Sequence, residues 1–224
     1  MTDAPDLRQL SGFRTPLAAA MLSGVLAGAA GIIAWHIQIT SSFRGFGGVF
    51  LFYGYWTILW FPYGAFLCSG PAIAQRSWKL AGWALLWAFG FSVLNFTWYY
   101  APYFLTLAGR GTLGFMNTTL WGQTAHIALS GALLGFALTR LYGFRPYSKW
   151  APLFGAIGGI ATYLVEYMEI KLGGGWYSGD PKTTIPAHTM VTLLGSVVLV
   201  VLPTAAIEYS LRQQARAANP RSKT

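Results

Sequence analysis

Apolar residues run in long blocks along this chain, and polar residues gather in the short gaps between them. A membrane-spanning helix needs about 20 mostly apolar residues, each advancing it by about 1.5 Å. Six windows reach that length: Pro16 to Ile37, Gly48 to Ile73, Lys79 to Tyr100, Leu120 to Tyr142, Trp150 to Leu172 and Ala187 to Leu211. The gaps are rich in Gly, Pro, Arg and Ser, and none is long enough for a soluble domain. The pattern predicts an all-α polytopic membrane protein, a bundle of six transmembrane helices. Residues 1–212 form its single domain and residues 213–224 a polar, basic tail. Arg8 and Arg14 precede the first block, and Ala27-Gly28-Ala29 has the small residues of a signal-peptide cleavage site. Apolar residues continue past it through Ile32, Ile33, Ala34 and Trp35, so a retained span is expected.

Composition sharpens this reading. Of 224 residues, 54% are hydrophobic and only 9% charged. A soluble domain carries about 25% charged residues, so a soluble globule and a disordered chain are both excluded. One cysteine, Cys68, excludes a disulfide framework and any multi-cysteine metal site. The formal charge of +9 sits in the gaps, which argues for a bilayer partner rather than nucleic acid. With both termini cytoplasmic, eleven of the fifteen Lys and Arg residues fall on the inner side and four (Arg44, Arg110, Lys171, Lys182) on the outer. Every inner segment carries at least two. The expected location is a plasma or inner membrane, N-in and C-in.

Small residues four apart recur at Gly24 and Gly28, Gly131 and Gly135, and Gly155 and Gly159. Such spacing lets helix backbones approach closely in lipid, so spans one, four and five are expected to pack tightly, within this chain or against a partner. Pro62 and Pro203 are candidate kinks. Aromatics crowd spans two and three. Trp60, Trp87 and Phe89 lie too deep for an interfacial belt and suit a pocket, a lipid or pigment contact, or a partner subunit.

Ionisable residues inside a bilayer are costly and usually functional. In the expected topology His36 ends span one, His126 lies in the outer third of span four, Glu166 and Glu169 lie toward the outer end of span five, and His188 opens span six. These five are candidate metal ligands, since imidazole and carboxylate suit copper or another divalent transition metal. They equally suit a proton relay, because two neighbouring carboxylates in low dielectric do not both ionise readily. Asn95, Gln123, Tyr163 and Asp180 are candidates for a substrate or proton pathway beside them. Each residue has a plainer reading. His36 serves as an interfacial anchor beside Trp35, Glu169 is solvated next to Lys171, and His126 is a buried, hydrogen-bonded histidine. Glu208, four residues before Arg212, forms a structural ion pair. No HxxxH or HExxH pattern occurs, and phosphate loops, dinucleotide fingerprints and serine-hydrolase elbows are absent.

Three stretches are similar to the small all-membrane subunit of copper-dependent membrane monooxygenases. Trp35-His36-Ile37-Gln38 resembles that subunit's aromatic-His-x-His ending, with Gln38 in place of the second histidine. Asn95-Phe96-Thr97-Trp98-Tyr99-Tyr100-Ala101-Pro102-Tyr103-Phe104 resembles its aromatic run closing on proline, and Gln123 to Gly143 resembles the span that follows. Asn95 and Gln123 stand near where that family places carboxylates. The resemblance implies a subunit of a multi-subunit membrane oxidoreductase that handles copper. Two other classes remain open. One is a small transporter or channel using the same cluster. The other is a structural subunit that binds lipids, pigments, a partner membrane protein or a second copy of itself.

Overall fold

The structure, a computed structural model, describes residues 15–40, 49–107, 120–143, 150–172 and 181–218. Among the described residues it is all-helical. The helices are α1 (Pro16–Thr40), α2 (Val49–Leu67), α3 (Gly70–Gln75), α4 (Trp78–Leu107), α5 (Leu120–Leu141), α6 (Trp150–Leu172) and α7 (Pro181–Ala218). Three described segments, Pro16–Ile37, Thr124–Leu141 and Thr189–Gln214, are long and apolar enough to cross a membrane. Thr57–Leu67, Trp78–Leu94 and Trp150–Val165 are shorter apolar helices.

Local chemistry sets the helix ends. Thr15 caps α1, its hydroxyl accepting from the Ala18 amide at 3.2 Å, and Pro16 fills the first turn, where no amide donor is needed. The second apolar window is interrupted. Its chain breaks at Cys68 and Ser69, and α3 restarts with Pro71 in its first turn. α3 stops where Arg76 turns left-handed (φ 49°), its amide donating to the Ile73 carbonyl and that of Ser77 to the Ala72 carbonyl. The Ser77 hydroxyl then accepts from the Leu80 amide at 3.3 Å to start α4. α2 and α7 both stay helical through Pro62 and Pro203. α7 also runs beyond its apolar window to Ala218.

The helices form a ring in the order α1, α2, α4, α5, α6, α7, with α3 tucked among α1, α4 and α5. The tightest joints are those whose small residues are four apart. A Cβ added at Gly131 would overlap the Gly155 carbonyl, and one at Gly135 would overlap the Ala151 carbonyl. A Cβ at Gly159 would lie 2.6 Å from the Ile127 carbonyl. On the other flank, Cβ atoms at Gly24 and Gly28 would lie 2.7 and 2.9 Å from the Val197 and Leu193 Cα atoms. All three glycine pairs are therefore used inside this chain. Trp87 of α4 meets Phe136 of α5 edge-on, with centroids 6.1 Å apart, and joins the ring across its loosest contact. Leu67, Cys68, Leu138, Tyr142, Val200 and Ile207 pack into a core at the end of the bundle where α1 begins and α5 finishes. Large apolar side chains such as Met21, Ile58, Leu86 and Phe89 point outward, as lipid contact requires.

Because backbone meets backbone at the α5–α6 joint, Gly131→Ala and Gly155→Ala are each expected to cost about 1–3 kcal/mol. Gly82 of α4 has nothing within 4 Å of an added Cβ, so Gly82→Ala should be neutral or stabilising by up to about 1 kcal/mol. Thermal unfolding in detergent checks this ranking.

Candidate functional site

Packing contacts fix the depth at which each candidate position sits. Along α5 and α6, Gly131 faces Gly155 and Ile127 faces Gly159, so His126 is level with Ile160. Along α6 and α7, Gly158 faces Leu199 and Thr162 faces Gly195. That register places residue 160 level with Val197, residue 166 with Val191, and residue 169 with residue 188. Along α1 and α7, Gly24 faces Val197 and Gly28 faces Leu193, which sets His36 level with residue 185.

The register therefore divides the candidate set. Positions 36, 169 and 188 fall within about one helical turn of each other at the end of the bundle where α1 finishes. Position 166 lies about one turn deeper. His126 lies nine positions beyond residue 188 in the α7 register, roughly 14 Å deeper along the bundle. One ion cannot be held from both levels, since metal–ligand bonds are about 2 Å long. The side chains of Glu166, Glu169, His188, Asn95 and Gln123, and the whole of Asp180, lie outside the described residues. Among the described residues no three His, Cys, Asp or Glu side chains converge on a metal position.

His36 is partly exposed and stands edge-on to Trp35, with ring centroids 5.2 Å apart. His126 is 2% exposed, in a run from Thr124 to Thr139 that is otherwise apolar or small. Ser130, one turn further along the same face, holds a buried hydroxyl without a hydrogen-bond partner.

Near the level of His126 the helices carry a layer of hydroxyls that spacing alone did not single out. The Ser196 hydroxyl lies 3.5 Å from the Tyr63 hydroxyl of α2 and donates to the Thr192 carbonyl at 2.6 Å. The Thr162 hydroxyl donates to the Gly158 carbonyl at 2.8 Å and reaches the Gly195 carbonyl of α7 at 3.3 Å. Tyr63 also packs edge-on against Trp60, with centroids 5.6 Å apart, which gives that deep tryptophan an internal partner. Phe89 points away from the bundle, 60% exposed. Tyr163 lies on α6 next to this layer, its ring 6.4 Å from that of Tyr167.

Removal of the Thr162 hydroxyl at constant shape tests the layer. Thr162→Val should lower stability by about 0.6 kcal/mol, the typical value of an interhelical hydrogen bond in lipid. Thr139→Val, whose hydroxyl donates to the Gly135 carbonyl of its own helix, should cost less.

Compared with protein-family models, with curated proteins and with solved structures, the chain matches none. The likeness to the monooxygenase subunit rests on its own residues.

Proposed function

We propose that the chain is a six-span integral membrane subunit of a membrane-bound oxidoreductase, with both termini cytoplasmic and its functional centre at the outer end. His36, Glu169 and His188 would hold a transition metal, copper by preference, in a nitrogen-and-oxygen donor set that suits it. The metal would supply redox or Lewis-acid chemistry at that end. His126, with the Tyr63, Ser196 and Thr162 hydroxyls near its level, would orient water and carry protons inward, with Glu166 between the two levels. Buried hydroxyls and an imidazole suit that task, because each can both accept and donate. The observation that carries this reading is the register: positions 36, 169 and 188 share one level, and His126 lies far below it. A packed core closes the opposite end, which favours a one-sided centre over a continuous channel.

A second reading, a structural or assembly subunit, draws on α4. Gly82 and Gly90 meet nothing within 4 Å, and Trp83, Leu86 and Phe89 beside them point outward. A partner membrane helix would pack into such a face.

Metal and optical analysis of gently purified protein, with its co-purifying subunits, separates the readings. A stoichiometric metal should be lost on His188→Ala or Glu169→Ala and retained on His126→Ala, with only proton-coupled turnover slowed. A metal-free sample that still binds a partner subunit, and releases it on Gly82→Leu or Gly90→Leu, would replace the oxidoreductase reading with the assembly one.

A further inference from the structure

The loosest joint of the ring lies between α4 and α5, where Trp87 meets Phe136. A Cβ at Gly70, in the α3 turn that leads into α4, would lie 3.7 Å from the Ala20 Cα and 3.6 Å from the Tyr142 hydroxyl. α4 therefore begins at the end of the bundle where α5 finishes, and the two helices are antiparallel. Lys79 and Trp83 stand about two turns and one turn before Trp87, and Arg140 stands one turn after Phe136. All three come to the same end of the α4–α5 groove. Lys79, Trp83 and Gly90 share one face of α4, beside the Trp87 that touches α5.

This stretch combines held charge with open apolar surface. The exposed Arg140 guanidinium is seated over the Phe136 ring, 5.3 Å from its centre, which keeps it against the groove. Lys79 is exposed on the facing helix. The one carboxylate whose side chain is among the described residues, Glu208, is paired with Arg212 and so is committed to another cation. Between the charges and the bundle interior, Trp83 is 49% exposed, and a Cβ at Gly90 would meet nothing within 4 Å. Trp78, next to Lys79, is 92% exposed, as an indole in the headgroup layer is.

Two cations at the mouth of an apolar groove match a molecule with an anionic head and an apolar tail. A guanidinium fork fits two phosphate oxygens, and an ammonium adds a point charge beside it. We propose that the α4–α5 groove binds one anionic phospholipid, from the leaflet at which α1 begins. Arg140 and Lys79 hold its phosphate, and an acyl chain lies over Trp83 and the bare surface at Gly90. A zwitterionic lipid is disfavoured, because its own ammonium accompanies the phosphate and the two protein cations repel it. The site rests on α4 and α5 both crossing the bilayer, as in the reading above, and is independent of any metal.

Native mass spectrometry of the full-length protein, released from nanodiscs of phosphatidylglycerol and phosphatidylcholine with matched chains, tests the proposal. One phosphatidylglycerol should be retained in preference, and excess inorganic phosphate should not displace it. Arg140→Gln and Lys79→Gln, both at exposed positions, should each weaken retention about fivefold. Arg140→Lys should weaken it less, and Arg216→Gln on α7 should leave it unchanged. Equal retention of the two lipids, displacement by inorganic phosphate, or an equal loss in Arg216→Gln would overturn the proposal. Release of a co-purifying protein by Arg140→Gln, with no change in bound lipid, would overturn it in favour of a partner helix on this face. Side-specific thiol labelling of Lys79→Cys and Gly143→Cys in intact membranes, in a Cys68→Ser background, separates the two levels of failure. Labelling from one side upholds the antiparallel spans whatever the lipid result, and labelling from opposite sides overturns the spans and the site together.

Discussion

The direct contact of helix backbones at glycine is the constraint on which the rest of the structure depends. At the α5–α6 joint, Gly131 and Gly135 press against Gly155 and Ala151 with no room for a methyl group. At the α1–α7 joint, Gly24 and Gly28 press against Val197 and Leu193. In lipid there is little hydrophobic drive to bring helices together, so close packing and interhelical polar contacts must hold them. A contact between backbones also tolerates no slippage. It fixes the level of every side chain on one helix against every side chain on the next.

That fixed register gives the candidate chemistry its depth. Without it, three histidines and two glutamates are merely five costly side chains on four helices. With it, positions 36, 169 and 188 share a level, and His126 belongs with Tyr63, Thr162 and Ser196 in the interior. The division places residues of the same type in different surroundings. His36 near the rim is partly exposed, whereas His126 is 2% exposed. At the far end Glu208 is buried and paired with Arg212, and its second carboxylate oxygen has no hydrogen-bond partner.

Much of the architecture was legible in the sequence. The apolar blocks anticipate the long helices, and glycines four apart anticipate which of them touch, because both depend on local composition. The break at Cys68 and Ser69 was not legible, since apolar residues continue through Pro71 and Ile73 and hydropathy does not register a turn. The length of α7 was underestimated for the opposite reason. Arg212, Gln213, Gln214 and Arg216 are polar enough to end an apolar window and still good helix formers. The Glu208–Arg212 pair follows from spacing alone. The depth of His126 does not, because it depends on how α5, α6 and α7 are paired, and no window along one helix contains that information.

The register is therefore the claim to test most directly. Paired cysteines report it in the intact membrane, in a Cys68→Ser background that removes the one native thiol. Glu169→Cys with His188→Cys should cross-link rapidly with a short bifunctional reagent, because both positions share a level on adjacent helices. His126→Cys with His188→Cys should not, since roughly 14 Å of bundle separates their levels. Rapid cross-linking of the second pair and none of the first would contradict the register, and with it the separation of positions 36, 169 and 188 from the level of His126.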